Sequence, residues 1–408
     1  MYKKINDPSR LHYLDRPIND ENTKLSMAPV CYQNVGWSLG NDCPLHCTQC
    51  YSRSAREKGK NLNHILIDGV IDQLQSINVK TVNLGGNEPI YTNGLNPKNS
   101  LLPYILKKLD SNGIKIGITT AGITLTTLEE MYPEYMKYIN DVDISIDSPR
   151  EEEHDTNRGV RGIYKIASKA IQICRDYNIP HSIIMCGMRW NFTEDRINEM
   201  IDLCTITDSN FRVNPLKPIE LKHMDDTLSI QQYFKGLDTI LKRCVPIDLS
   251  DPAWATSAGI ESSQVSGCPC GINSFRIHSI TPDGKIPVSP CVYLHDYKVG
   301  DLTHDSIKDI LDSNAFKVFR RRKAHPEMIN GCVNCKNISV CGGGCASRSY
   351  LHNLHLSNGK IKSIFQKDPY CPLDSAVHIQ KTKIEPSKEA LVHMGYLCTG
   401  IFKLKNND

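Results

Sequence analysis

The chain has 408 residues, of which 40% are hydrophobic and 23% are charged, a composition typical of a globular protein. Its 48 Lys and Arg residues nearly balance 45 Asp and Glu residues, and this net charge of +3 predicts no nucleic-acid partner. No stretch approaches the ~18 uninterrupted apolar residues of a membrane span, and no export signal is visible, so a cytoplasmic protein without membrane contact is expected. The short basic run 320–323 is interpreted as a solvated surface. The seventeen cysteines indicate metal or redox chemistry rather than disulfides.

The first half of the chain alternates β-rich runs with amphipathic patterns such as 65–77 and 101–109. This alternation predicts βαβ units and a parallel sheet. Six strands are expected, at 35–39, 81–84, 114–118, 142–146, 182–185 and 211–214. The predicted fold class is therefore α/β, a partial (β/α)6 barrel resembling an incomplete TIM barrel, with its site at the carboxyl ends of the strands.

Changes in amino-acid composition and periodicity along the chain predict the domain boundaries. Residues 1–33 form an N-terminal extension, 34–220 the barrel, and 221–262 a largely helical bridge. From 263 to 380 cysteine, glycine and proline become frequent, as in a small domain held together by metal centres. Residues 381–408 are expected to form a C-terminal tail.

The first chemical motif is Cys43-x3-Cys47-x2-Cys50, which follows the first predicted strand. Three thiolates at this spacing can hold three corners of a cubane iron-sulfur cluster and leave one iron open for an outside ligand. The alternative is a structural zinc site. Zinc requires four ligands, usually as paired cysteines, so this spacing disfavours it.

The second predicted strand ends in the sequence Gly85-Gly86-Asn87-Glu88-Pro89. Together with the three cysteines it resembles the radical S-adenosylmethionine (SAM) superfamily, whose second motif contacts the amino group of the cofactor. The family form is usually GGEP, so the inserted Asn87 leaves open which backbone group makes each contact. The resemblance implies cofactor-binding roles for Gly85, Gly86, Asn87 and Glu88, and also for Tyr51, which follows Cys50.

The resemblance extends to Ser145, Asp147 and Arg158, at and after the fourth predicted strand. In relatives, such residues hold the ribose and carboxylate of SAM, and Asp147 is therefore counted with the three cysteines as catalytic. The alternative for Asp147 is a helix N-cap. In this family the cluster reduces bound SAM, and the 5'-deoxyadenosyl radical removes a hydrogen atom from the substrate.

The C-terminal cysteines resemble the SPASM domain, which holds two auxiliary 4Fe-4S clusters. The motif is Cys332-x2-Cys335-x5-Cys341-x3-Cys345 followed by Cys371, and one departure is Gly284-x6-Cys291 where the family has Gly-x4-Cys. The resemblance assigns an outer cluster to Cys332, Cys335, Cys341 and Cys371, and an inner cluster to Cys270, Cys291 and Cys345. Cys268 is expected to be the fourth ligand of the inner cluster, and the alternative is that this cluster keeps an open iron that contacts the substrate. The alternative for the whole block is a pair of zinc sites.

Three plus eight of the seventeen cysteines are used in this way, and the remaining six are expected to be small buried hydrophobes: Cys31, Cys174, Cys186, Cys204, Cys244 and Cys398. The cofactors implied are three 4Fe-4S clusters, one radical and two auxiliary, together with SAM. The resemblance implies a maturase of ribosomally made precursor peptides, close to those acting on Nif-type leaders. The type of modification stays open among cross-linking, epimerisation and backbone excision.

Two other functions stay open. One is a sulfatase maturase, which makes formylglycine, and the other is a non-enzymatic metal-cluster binding module. Only 42 residues precede Cys43 and 37 follow Cys371, so a leader-binding domain is expected to be absent or to be supplied by a separate protein. A flavodoxin or ferredoxin is expected to donate electrons.

Overall fold

The computed structural model describes residues 27–52, 60–387 and 391–405. Most of the predicted N-terminal extension therefore lies outside the described residues. Within these ranges ten strands form one sheet. They are β1 Asn34–Trp37, β2 Thr81–Leu84, β3 Lys115–Thr120, β4 Asp141–Ser145, β5 His181–Gly187, β6 Asn210–Pro215, β7 Cys244–Leu249, β8 Ser274–Ile277, β9 Val288–Ser289 and β10 Gly400–Leu404.

The α-helices of the described ranges lie mainly between the strands. They are α1 His64–Ser76, α2 Leu102–Ser111, α3 Ile123–Met131, α4 Glu151–Arg158, α5 Ile163–Asp176, α6 Glu194–Thr207, α7 Ile230–Arg243, α8 Pro252–Ser257, α9 Ile307–Leu311, α10 Asn314–Ala324, α11 Ile338–Cys341 and α12 Ala346–Leu356. Short 3-10 helices occupy Pro97–Asn99, Pro133–Tyr138, Leu221–Met224, His295–Tyr297, Pro326–Met328 and Pro372–Asp374.

Strands β1 to β6 pair in parallel and in chain order, which confirms the predicted α/β partial barrel. Each predicted strand coincides with an observed strand to within about two residues. The strands alternate with amphipathic helices because each strand must bury its outer face. Helix α5, for example, turns Ala167, Ala170 and Ile171 inward onto the sheet. The carboxyl ends of the parallel strands meet at one edge, where the cysteine loop and the Gly-Gly motif follow β1 and β2.

The cysteine-rich domain continues the sheet at the β1 edge. Strand β8 pairs in parallel with β1, and β9 pairs antiparallel with β8. The predicted turn at 282–284 is present, because Gly284 N donates to Thr281 O at 2.8 Å. The two domains therefore share backbone hydrogen bonds, and the barrel positions the second domain directly beside the cysteine loop.

The other edge of the sheet contains two strands that the sequence pattern did not reveal. Strand β7 lies between α7 and α8, inside the range expected to be a helical bridge. Strand β10, from the range expected to be a tail, inserts between β6 and β7 and pairs antiparallel with both. His393, ahead of β10, also reaches into the barrel, where its Nδ1 lies 2.9 Å from Asp141 Oδ1. The C-terminal segment is thus part of the core.

Candidate active site

The loop carrying Cys43, Cys47 and Cys50 is fastened to the carboxyl end of α4. His46 N donates to Arg158 O at 3.0 Å, and Thr48 N donates to Asn157 O at 3.2 Å. A side chain at Gly159 would collide with His46, so the close approach of the two segments requires glycine there. The loop has no regular structure of its own, and these bonds hold its three thiols at the mouth of the barrel.

The three thiols line one pocket at the mouth of the barrel. The pocket is built from the ends of strands β2 to β6 and from the second domain. Its lining includes these predicted site residues: Cys43, Cys47, Cys50, Tyr51, Gly86, Asn87, Glu88, Ser145 and Arg158. Gly85 and Asp147 do not line it. Both lie directly behind the wall.

The Gly-Gly segment is held by an arginine from the second domain. Arg276, on β8, is buried, and its guanidinium donates to Gly85 O and Ser38 Oγ. Gly86 has a φ of +109°, and a side chain there would collide with Arg276 and Ser38. The carbonyl of Gly85 is therefore occupied inside the protein, while Gly86 faces the pocket.

Asn87, the departure from the family motif, lines the pocket and carries an unpaired acceptor. Its Nδ2 donates to the carbonyl oxygens of Asp42, Glu88 and Tyr91 at 3.0–3.2 Å. Its Oδ1 is buried and has no hydrogen-bond partner. An unpaired buried acceptor is costly unless a ligand supplies a donor, so this atom fits an amine such as that of SAM.

Glu88 has a more structural position than its motif suggests. Its carboxylate accepts from Thr120 Oγ1 at 2.6 Å, from Thr124 Oγ1 at 2.8 Å, and from the backbone N–H groups of Ala121 and Thr124. These donors use most of the lone pairs that a carboxylate offers. Glu88 thus fixes the turn between β3 and α3, and this turn forms part of the pocket wall.

Asp147 and Arg158 form a buried ion pair. Asp147 Oδ2 lies 2.8 Å from Arg158 Nε and accepts at 2.8 Å from both Gln49 and Asn157, while Oδ1 accepts from Cys186 N at 3.1 Å. The Asp147 side chain is 0% exposed and that of Arg158 is 12% exposed. Arg158 Nη1 reaches to 3.8 Å from Cys47 Sγ. Asp147 therefore acts on the pocket through Arg158.

The thiols of Cys43 and Cys47 are partly buried, and this raises their affinity for protons. Burial raises the pKa of Cys43 to about 12 and that of Cys47 to about 11, although the guanidinium of Arg158 opposes the rise at Cys47. Binding of iron must displace these protons. Arg158 then offsets part of the negative charge that three thiolates bring to the pocket.

The cysteines of the second domain form two groups. In the outer group, Cys332 and Cys341 lie close enough to Cys371 to interact electrostatically, and Cys335 neighbours Cys332. In the inner group, Cys268 contacts Cys270 and Cys345, and Cys270 contacts Cys291. These pairwise contacts match the sets that the resemblance assigned to the two auxiliary sites, while within the described residues no three His, Cys, Asp or Glu side chains are arranged to hold a single metal ion.

Buried arginines support these two groups. Arg322 is 3% exposed and donates to Ile364 O at 2.8 Å, Gly343 O at 2.7 Å and Gly344 O at 3.2 Å. The interpretation of the run 320–323 as a solvated surface was therefore wrong for Arg322, because this side chain satisfies the carbonyls of the glycine turn between Cys341 and Cys345. The backbone N–H of Cys345 is fixed in turn by Asp368 Oδ2 at 2.7 Å.

Several pocket residues were not predicted. Tyr293, in the second domain, packs edge to face on Tyr51 with ring centroids 5.4 Å apart. Its hydroxyl accepts from Asn214 Nδ2 at 2.5 Å, and Lys217 Nζ lies 4.8 Å from its ring centroid. Asn214 lies at the carboxyl end of the sixth strand and Lys217 follows that strand, positions that could have marked both as candidates. Tyr293 carried no signal because its partners are distant in sequence.

Comparison with known proteins agrees with this geometry. Residues 37–204 match the Radical SAM superfamily, and residues 268–336 match the SPASM iron-sulfur cluster-binding domain. No helix within the described ranges is long and apolar enough to cross a membrane.

The mycofactocin maturase MftC of Mycolicibacterium smegmatis is 22% identical over 88% of this chain and 90% of that protein. The subtilosin biosynthesis protein AlbA of Bacillus subtilis is 26% identical over 80% of this chain and 69% of that protein. The structure of Streptococcus suis SuiB bound to precursor peptide SuiA superposes with a TM-score of 0.58 at 16% identity, covering 83% of this chain and 75% of that one. This last likeness supports the fold.

The chain is a radical SAM enzyme. It carries a SPASM domain, and its cofactors are iron-sulfur clusters and SAM.

Proposed function

We propose that this enzyme is a peptide maturase that abstracts a hydrogen atom from a ribosomally synthesised precursor peptide. The observation that carries the proposal is the shared pocket, in which the cysteine loop of the barrel faces Tyr293 of the SPASM domain. The relatives named as maturases support it, since MftC aligns over 90% of its own length. The outcome for the peptide is a cross-link, an epimerised residue or an excised backbone unit.

The proposal includes three 4Fe-4S clusters. Cys43, Cys47 and Cys50 would hold the radical cluster at the pocket. The second domain would hold an outer cluster through Cys332, Cys335, Cys341 and Cys371, and an inner cluster through Cys270, Cys291, Cys345 and a fourth thiolate. The closeness of the thiols within each group supports these ligand sets. The proposed domain ranges are 34–220 for the barrel and 263–380 for the SPASM domain.

In the proposed enzyme, the bound cluster and SAM supply a 5'-deoxyadenosyl radical. The protein's own residues would bind and orient SAM. Asn87 Oδ1 would accept from the amine of SAM, the backbone of Gly86 would contact the cofactor, and Arg158 would pair with the carboxylate while Asp147 holds the guanidinium in place. Ser145 lines the adjoining wall at the end of β4, and Tyr51 packs beside the third cysteine.

The opposite wall of the pocket would receive the peptide. It is formed by Asn214, Lys217 and Tyr293, which are joined to one another by the contacts given above. Lys217 Nζ donates to Asn214 Oδ1 at 2.9 Å, so its charge is held at the end of β6. A cationic group and an aromatic ring side by side suit a peptide carbonyl or carboxylate and an apolar side chain.

The proposal also includes two protein partners. A flavodoxin or ferredoxin would supply single electrons, and a separate protein would bind the leader of the precursor. Size-exclusion chromatography tests the second partner. If the full chain retains a precursor peptide without any third component, a separate leader-binding protein is not required.

Deuterium transfer tests the function directly. The reconstituted enzyme would be incubated anaerobically with SAM, dithionite and perdeuterated versions of the short peptides encoded beside its gene. Transfer of deuterium into 5'-deoxyadenosine, together with a modified peptide in the mass spectrum, is the expected result. A Cys-type sulfatase peptide serves as the comparison. Formylglycine in that peptide, with no transfer from any precursor, would establish the sulfatase-maturase alternative instead.

A further inference from the structure

A fifth cysteine lies in the inner group of the SPASM domain. Cys398 Sγ lies 3.5 Å from Cys268 Sγ, and the thiol also contacts that of Cys345. The residue is 2% exposed. It falls outside the ranges that match the two families, which end at residue 336. The sequence predicted only a small buried hydrophobe here.

The other members of the inner group surround the same space. Cys268 contacts Cys270 and Cys345, and Cys270 contacts Cys291. Ser347 also borders the group. Its hydroxyl lies 3.3 Å from Cys345 Sγ and is hydrogen-bonded to the thiol of Cys291. Five thiols are therefore linked by pairwise contacts, whereas a cubane cluster offers four coordination positions. One of the five must be left over.

The position of Cys398 is fixed by the main sheet. Lys217 Nζ donates to Cys398 O at 3.2 Å, and the next residue, Thr399, accepts from Asp251 N at 2.9 Å and donates to Val213 O at 2.6 Å. Strand β10 begins immediately afterwards. The hydrogen-bonded backbone around Cys398 thus holds its thiol in a fixed position, as a metal ligand requires.

Other unassigned cysteines have different surroundings. Cys174 is buried in α5 and packs in the hydrophobic core. Cys204 is buried in α6, and its thiol lies 4.0 Å from Asn210 O. Neither touches a proposed ligand, so both match the expectation for small buried hydrophobes. Cys186 lines the barrel pocket near Cys47, and Cys398 is the member of this set that contacts the inner group.

The contacts also indicate which thiol is left over. Cys268 touches three others, Cys270, Cys345 and Cys398, so its sulfur occupies the middle of the group. A bound cubane must fill that middle, with thiolates around it. Cys268 also lines a surface groove together with Lys323 and Gly395.

We propose that Cys398 is a thiolate ligand of the inner auxiliary cluster, together with Cys270, Cys291 and Cys345, and that Cys268 is the displaced fifth thiol. The inference rests on the inner cluster of the proposed function and is independent of the peptide. Because Cys398 lies two residues before β10, the cluster would tie the C-terminal strand to the SPASM domain.

Metal analysis and spectroscopy of the full chain test this ligand. Each variant would be made in a background with Cys43, Cys47 and Cys50 replaced by Ala, so that only auxiliary clusters contribute. After anaerobic reconstitution, iron per chain and the EPR spectrum of the reduced protein are compared for Cys398→Ala, Cys270→Ala, Cys268→Ala and Cys204→Ala. The Cys270 variant reports whether an inner cluster exists, and the Cys204 variant controls for loss of a buried thiol.

The expected result is that Cys398→Ala and Cys270→Ala each lose about four irons or change the spectrum, while Cys268→Ala and Cys204→Ala leave both unchanged. If Cys270→Ala loses iron while Cys398→Ala keeps the iron content and EPR spectrum of its parent, the assignment of Cys398 as a ligand is overturned. No change in the Cys270 variant would instead overturn the inner cluster itself. If Cys398→Ala fails to fold by circular dichroism, Cys398→Ser keeps its size, and a shifted EPR spectrum and midpoint potential are then expected. An unshifted spectrum and potential would contradict the proposal.

Discussion

Replacing Asp147 with Asn changes a buried carboxylate into an amide of nearly the same shape. The carboxylate accepts from Gln49, Asn157 and the backbone of Cys186 and pairs with Arg158 at 2.8 Å. Because every one of these partners is a donor, an amide NH2 group on either side must face at least one of them. The substitution therefore also leaves the Arg158 guanidinium without its counter-charge.

Two effects of this change can be estimated. Removing one member of a buried ion pair costs about 3–5 kcal/mol of folding free energy. The loss of a well-oriented Arg158 removes a hydrogen bond to a charged group of SAM, worth about 1.5–3 kcal/mol, which is about a ten- to hundredfold rise in Kd. Asp72→Asn is the matched control, because Asp72 is exposed on α1.

The assay is equilibrium dialysis of SAM against the anaerobically reconstituted protein, with urea unfolding measured in parallel. The account predicts weaker SAM binding and lower stability for Asp147→Asn, and wild-type values for Asp72→Asn. An Asp147 variant that binds SAM with an unchanged Kd would refute the positioning role. It would show that Arg158 needs no partner behind it or does not touch the cofactor.

Two further predictions concern buried ionisable groups. Arg348 is 2% exposed and pairs with Asp251 and Asp368 at 2.7 Å each, so Arg348→Met should lose about 3–5 kcal/mol of unfolding free energy in urea. Arg348→Lys keeps the charge and should lose less. Equal stability of the wild type and both variants would contradict this prediction. Burial, and then the Arg158 guanidinium, lower the pKa of His154 to about 4, whereas the unfolded chain titrates near 6.5. The unfolded state therefore takes up a proton first as pH falls from 7 to 5, and this histidine should remove about 2 kcal/mol of stability over that interval. His154→Asn should remove that component from the pH dependence of urea unfolding, and an unaltered dependence would show that His154 is not the group responsible.

Much of the barrel could be predicted because its information is local. Apolar alternation and helical periodicity located β1 to β6. Close cysteine spacing indicated the proposed radical-cluster loop, and the resemblance to the SPASM domain supplied the proposed auxiliary ligand sets. Strands β7 and β10 were missed because their pairing partners lie far away in sequence, and a short strand at the end of a chain carries no periodicity of its own.

The finer features of the site depend on tertiary contacts. A polar residue just beyond a strand could be predicted to serve SAM, but nothing in the sequence showed that Asp147 would lie behind Arg158. Arg322 resembled its three basic neighbours in the sequence. It is nevertheless buried, because its guanidinium donates to the backbone carbonyls of Gly342, Gly343, Gly344 and Ile364. Cys398 has no nearby cysteine in sequence, and only the insertion of β10 brings it to the inner group.

The most direct test of the account is the cleavage of SAM by the variant in which Cys43, Cys47 and Cys50 are all replaced by Ala, with the wild-type protein and Cys204→Ala measured beside it. The account predicts that the triple variant holds about four fewer irons and forms no 5'-deoxyadenosine with dithionite and SAM, while the Cys204 variant behaves as wild type. Formation of 5'-deoxyadenosine by the triple variant at the wild-type rate would contradict the assignment of the pocket as the radical site.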